Sequence, residues 1–119
     1  MRKIFLLLAF LPFFADAGGA CDKAITNADM LRCAEVEYSA ADKNLNAIYS
    51  KLLKKLDAEG QRKLRASQRA WIKFRDLDSE FSGDINRGGS AESLTIIGAQ
   101  TLMTEVRAKE LEQELKIRE

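Results

Sequence analysis

The 119-residue chain is predicted to be all-α, a small three-helix up-down-up bundle with one disulfide. Two observations carry that prediction. Apolar residues recur at spacings of three and four in three separate stretches, and strand-like alternation appears nowhere. The stretches are joined by short segments carrying glycine or turn formers, a pattern that makes consecutive helices antiparallel neighbours.

The first helix is expected over Thr26–Leu56. Thr26, with Asp29 three residues on, reads as a capping box of the weaker aspartate kind. Met30, Ala34, Tyr38, Ala41, Leu45, Ile48, Leu52 and Leu56 then form one stripe sustained for about seven turns. Gly60 reads as a break or tight corner. The second helix is expected over Gln61–Phe81, with Leu64, Trp71, Phe74, Leu77 and Phe81 on one apolar side. Arg62, Arg65, Arg69 and Lys73 make its basic face. Ser82 to Ser90 is the one substantial loop, with Gly83, Gly88 and Gly89 beside Asp84 and Asn86. Ser90 is expected to cap a third helix, Ser90–Ile117. Its seam of Leu94, Ile97, Thr101, Thr104, Ala108, Leu111 and Leu115 holds small and hydroxyl residues that permit close helix approach.

The start of the chain reads as an address. Arg2 and Lys3 precede an apolar run from Ile4 to Phe14, and Ala15-Asp16-Ala17 supplies small residues at the positions a signal peptidase reads. A run this short falls below the roughly 20 apolar residues of a spanning helix, so no stable membrane span is expected. Lipidation at Cys21 ranks below simple cleavage, because Gly18-Gly19-Ala20 lacks the aliphatic residue usual in lipoprotein signals. The expected organisation is a signal peptide over 1–17 and a single helical domain over 18–119, located in the periplasm or secreted. Cys21 and Cys33 are an even pair in a chain bound for an oxidising compartment, which reads as a disulfide. Their spacing is far from that of a redox-active Cys-x-x-Cys.

Composition narrows the function. Without residues 1–17 the chain loses Arg2, Lys3 and Asp16, leaving 17 basic and 17 acidic residues and no net charge. That balance, with export, argues against nucleic acid as a partner. Charge is nonetheless uneven: Lys51 to Arg75 holds nine basic residues against Asp57 and Glu59, and Asp76 to Glu92 holds five acidic residues against Arg87. Histidine is absent, which removes the commonest general base and the commonest transition-metal ligand. Asp76, Asp78 and Glu80 alternate around a helix instead of facing one another as a catalytic pair. Asp84-Ile85-Asn86 lacks the ordered acidic positions of a calcium loop, and Gly88-Gly89 matches no phosphate-binding pattern. No catalytic residue, metal or cofactor is predicted. In the densest segment, Ser67 to Asp76, Trp71 and Phe74 read as core anchors, and Arg75 and Asp76 as residues that each pair across the bundle.

These residues, in order, resemble the LprI-like lysozyme-inhibitor family of small exported bacterial proteins. The shared pattern is Cys21, Met30, Cys33-Ala34, Ala41-Asp42, Leu45-Asn46 and Tyr49, then Gln68-Arg69-Ala70-Trp71 with Phe74-Arg75-Asp76. Gly88-Gly89-Ser90, Thr104, Arg107 and Leu111 complete it. The resemblance implies a protein-binding module whose partner is a lysozyme-type muramidase. It also implies a second cysteine pair, and the corresponding positions here are Ser79 and Ala99. Losing that bridge is expected to leave the loop less constrained. Binding is assigned to that loop: Asp84, Asn86 and Arg87 for hydrogen bonds, Gly88 and Gly89 for shape, Ser90 at the exit. The alternative is a structural envelope protein whose basic helix contacts peptidoglycan or lipopolysaccharide. A third is an immunity-like partner of a bacterial cell-wall hydrolase.

Overall fold

The structure, a computed structural model, describes residues 21–119; the expected signal segment and its cleavage point lie outside the described residues. Three helices account for most of it: α1 (Asn27–Lys55), α2 (Ala58–Gly83) and α3 (Glu92–Ile117), with a 3-10 turn at Asp84–Asn86. No strand occurs among the described residues.

Helix α1 begins as its sequence dictates. The Thr26 hydroxyl accepts a hydrogen bond from the Asp29 amide at 3.1 Å, satisfying one of the donors that a helix start leaves open. In return Thr26, with Arg32 beyond it, holds the Asp29 carboxyl below its ordinary range. Just ahead, Cys21 and Cys33 are bridged with Cα atoms 5.2 Å apart, fastening the entry to the helix. A bridge over so short a loop stabilises by about 2–3 kcal/mol in the chain-entropy model.

The α1–α2 corner is tighter than the sequence suggests. Leu56 ends α1, and Asp57 caps α2 by accepting from the Gly60 amide at 2.8 Å. Gly60 therefore lies inside the first turn of α2, not at a break. A Cβ there would stand 3.1 Å from Asp57 Oδ1 and 3.2 Å from Leu56 Cβ, so glycine lets the corner fold back on itself. Gln61 completes the turn by donating to the Leu53 and Leu56 carbonyls.

Helix α3 is the hub. Leu45 and Leu52 of α1, Leu64 of α2, and Ala108, Leu111 and Leu115 of α3 form the buried core, flanked by Ile48, Tyr49, Leu53, Leu56 and Trp71. The small seam of α3 does bring helices close. Thr104 is fully buried and returns its hydroxyl to the Gln100 carbonyl at 2.7 Å. A Cβ on Gly83 would meet Ile96 Cγ1 at 2.5 Å. Contacts Gln68–Arg107, Asp76–Gln100 and Gly83–Ile96 run in opposite order along α2 and α3, so these two helices are antiparallel. Helices α1 and α2 meet through long side chains, the Arg75 guanidinium of α2 lying over the Tyr38 ring of α1 and near the Trp71 ring of its own helix.

Helix α2 departs most from expectation. Its buried residues are Leu64, Gln68, Arg75, Ser79 and Gly83. Phe74, Leu77 and Phe81, expected in the core, are 57%, 56% and 77% exposed. Periodicity placed these residues correctly on one face. Leu64 and Trp71 of the expected stripe do face the core; further along α2 the face turned inward is the other one, carrying Gln68, Arg75, Ser79 and Gly83.

Candidate functional site

Three places concentrate chemistry. The first is a half-buried stack at the α1–α2–α3 junction. Arg75, 7% exposed, lies between two rings: its guanidinium carbon is 5.5 Å from the Tyr38 centroid and 5.2 Å from that of Trp71. Arg107 approaches the same indole at 5.9 Å. Its Nε donates to Gln68 Oε1 at 3.1 Å and its second guanidinium nitrogen to Ser67 Oγ at 3.0 Å. Contrary to expectation, Arg75 and Asp76 contact each other directly, Nε to Oδ1 at 2.9 Å. Asp76 also reaches across the bundle, accepting from Gln100 at 3.4 Å. Burial pushes the Tyr38 phenol above its ordinary value, with the nearby Arg75 charge opposing the shift. The densest motif of the sequence, Gln68 to Asp76, thus supplies a hydrogen-bonded cation–aromatic joint between helices. No side-chain nitrogen or oxygen buried among the described residues lacks a partner, so this joint has no spare group aimed at a ligand.

The second place is a shallow cleft of roughly 320 Å³ between α1 and α2, lined by Asn46, Tyr49, Arg65, Gln68, Arg69 and Ile72. Four of these, Asn46, Tyr49, Gln68 and Arg69, belong to the ordered motif set read from the sequence, and the fold brings them together. No signal in the sequence joined residues from two helices to one cleft.

The third is the pole between α2 and α3, where the predicted binding residues lie. Arg87 Nε donates to Asp84 Oδ1 at 2.7 Å, and Asn86 Nδ2 donates to Thr95 Oγ1 at 2.8 Å. The Gly88 amide donates to Glu92 Oε2 at 2.8 Å, and the Gly89 amide to the Asn86 carbonyl at 2.9 Å. Gly88 has φ of 76°, in the left-handed region that favours glycine. Ser90 does not cap α3: the cap position is Ala91, with no side-chain hydrogen bond. Glu92 instead reaches back to Gly88. The loop expected to be loosened by the missing second bridge is thus cross-tied by its own side chains. Ile85 projects from it, 86% exposed.

The described residues hold one cluster of potential metal-ligating groups, Cys21, Cys33 and Glu37, and there the two sulfurs are bonded to each other. Ion pairs among the described residues all join partners within one helix or turn; none bridges two helices. Arg65, Arg69, Lys73, Asp78 and Glu80 take part in none of them.

Comparison with known proteins decides the family. The family described as "Lysozyme inhibitor LprI" matches residues 19–111. The chain belongs to this family. It is also 32% identical to an uncharacterized protein of Rhizobium meliloti (strain 1021), over 78% of this chain and 76% of that one. No solved structure matches the chain. For an LprI-family domain the described helices add one fact about membranes: none is long and apolar enough to cross one.

Proposed function

We propose that this LprI-family protein is exported to the periplasm or beyond and inhibits a lysozyme-type muramidase sterically, through the pole between α2 and α3. The observation that carries the reading is the family match across nearly all of the expected mature chain. A retaining or inverting glycosidase needs an open groove in which two carboxylates flank the sugar bond. A rigid protein wedge seated in that groove excludes polysaccharide without chemistry of its own.

The pole has the properties such a wedge requires. Exposed loops on a rigid scaffold are where binding groups concentrate. Ile85 offers an apolar anchor, and Asp84, Asn86, Arg87 and Ser90 offer polar groups around it. The cross-ties from Asn86 to Thr95 and from Gly88 to Glu92 set the loop's shape before binding, which lowers the ordering cost of about 1–2 kcal/mol per residue that a slack loop incurs.

A panel of lysozymes assayed for cell-wall lysis with increasing protein tests this. Stoichiometric inhibition of at least one is expected. Changing Asp84, Asn86 and Arg87 together to Ala should weaken it by tenfold or more. A Ser79→Cys, Ala99→Cys bridge should leave it equal or stronger. Full inhibition by the triple loop variant would remove the pole from consideration.

The structural-envelope reading has its own support: Arg65, Arg69 and Lys73 stand on one helix without ion-pair partners among the described residues. It predicts weak binding to purified peptidoglycan or lipopolysaccharide that disappears between low and physiological salt, and no inhibition of any lysozyme.

A further inference from the structure

We propose that the outward face of α2 is a self-association surface, on which two copies of this chain pair with their α2 helices antiparallel. This goes beyond the inhibitory reading and does not depend on it. Ala70, Phe74, Leu77 and Phe81 are all exposed and follow one another at spacings of four, three and four, the seam of a two-stranded coiled coil. They lie opposite the face that Gln68, Arg75, Ser79 and Gly83 turn inward. Two phenylalanines and a leucine on one continuous solvent-facing stripe is more than the scattered apolar exposure of an ordinary monomer surface.

What identifies the occupant is self-complementarity, in size and in charge. Ridges meet across an antiparallel seam so that Phe74 faces the second copy's Leu77, and Phe81 faces its Ala70. Each large ring then has a smaller residue opposite. In that same register the flanking residue Lys73 falls beside Glu80 of the second copy, twice by symmetry. Neither residue has an ion-pair partner among the described residues. More broadly, α2 carries a basic stretch from Arg62 to Arg75 (Arg62, Lys63, Arg65, Arg69, Lys73, Arg75) followed by an acidic one (Asp76, Asp78, Glu80), so only opposed directions set unlike stretches side by side. This answers the uneven charge of a chain whose expected mature part is neutral: the two blocks do not neutralise each other across helices within one copy. An isologous pair of this kind leaves the two α2–α3 loops at opposite ends, both free.

Sedimentation equilibrium of the disulfide-intact protein tests the proposal. A dimer is expected at tens of micromolar chain or below, the scale of a modest apolar seam. Lys73→Glu and Glu80→Lys should each weaken it about tenfold, since each converts two attractive pairs into two repulsive ones. The double variant should return to within about threefold of the wild type. An equimolar mixture of the two single variants should associate more tightly than either alone. Phe74→Glu should give a monomer with an unchanged helical spectrum, because the ring it removes is exposed. A monomer at several hundred micromolar overturns the proposal. So does a dimer indifferent to Glu80→Lys, because a parallel pairing or a different face would leave that residue without a charged neighbour.

Discussion

Replacing Arg75 by Ala should cost about 3 kcal/mol, and the structure allows the figure to be built from parts. The guanidinium lies near two rings, at 5.5 Å and 5.2 Å; at about 1 kcal/mol for each half-desolvated cation–π contact, these contribute about 2. The ion pair with Asp76 adds no more than about 0.5 kcal/mol, since that carboxylate's side chain is 45% exposed and solvent screens the pair. The buried aliphatic stem adds roughly 1 kcal/mol, allowing for its partial replacement by the Ala methyl and for collapse of neighbours. Arg75→Lys keeps stem and charge but loses the planar group that stacks on both rings, so it should cost only about 1 kcal/mol. Urea unfolding at neutral pH, followed by helical circular dichroism and by fluorescence, measures both. Trp71 is the only tryptophan, so the fluorescence reports from the joint itself. A double-mutant cycle with Tyr38→Leu should return a coupling of about 0.5–1 kcal/mol. An Arg75→Ala cost under 1 kcal/mol, or a coupling indistinguishable from zero, would refute the view that this arginine joins α1 to α2.

Gly83→Ala should destabilise by about 1–3 kcal/mol, because the new methyl would stand 2.5 Å from Ile96 Cγ1 in a seam without slack; a thermal melt shows it, and an unchanged midpoint would mean that α2 and α3 separate easily there. Tyr38 has a phenol pushed up mainly by burial, so its neutral form is favoured in the fold. Its contribution to stability is therefore complete below the unfolded phenol value near 10 and is lost as pH rises through the higher folded value. In a Tyr49→Phe background, phenolate absorbance should appear later in alkali for the folded protein than for the urea-unfolded one; coincident titrations would contradict that burial.

Much of this was legible in the sequence, and the places where it was not share one cause. The α1 stripe through Ala41, Leu45 and Leu52 and the α3 seam through Thr104, Ala108, Leu111 and Leu115 could be read because burial there follows hydropathy. The Thr26 cap and the Cys21–Cys33 bridge were legible because local chemistry sets them. Leu64 and Trp71 of α2 were read correctly, but its C-terminal part was misread because hydropathy ranks Phe74 and Phe81 above Arg75 and Ser79, whereas its orientation follows from room and hydrogen-bond partners, which lie on other helices. Tyr38 and Arg107 decide that Arg75 and Gln68 can face inward, and neither is within twenty residues of the group it serves. The same limit hid the cleft that collects Asn46 and Tyr49 from α1 with Gln68 and Arg69 from α2. Ser90 failed as a cap on a smaller scale: the chain enters α3 one residue later, and the Glu92 carboxylate is the group that reaches back to the loop, at the Gly88 amide.

The inversion of α2 also explains how the chain dispenses with the second cysteine pair its resemblance implies. A cross-link between the positions of Ser79 and Ala99 would hold α2 against α3 near the pole. Here Ser79 is fully buried at that interface, its hydroxyl 3.9 Å from Met103 Sδ, and Gly83 one turn on lets Ile96 press against the α2 backbone. A bridge stabilises mainly by limiting the unfolded chain, whereas close packing and loop hydrogen bonds act on the folded one. The Asn86–Thr95 and Gly88–Glu92 bonds span the segment the bridge would have closed, so the pole keeps a defined shape. What the fold gives up is the shelter of its apolar residues: with small and polar groups turned inward along α2, Phe74, Leu77 and Phe81 have only the outside to occupy. An α2 rebuilt with its apolar stripe inward would need the volume that Arg75 and its two rings now fill. The exposed seam is therefore a consequence of the same joint that fixes α1 to α2.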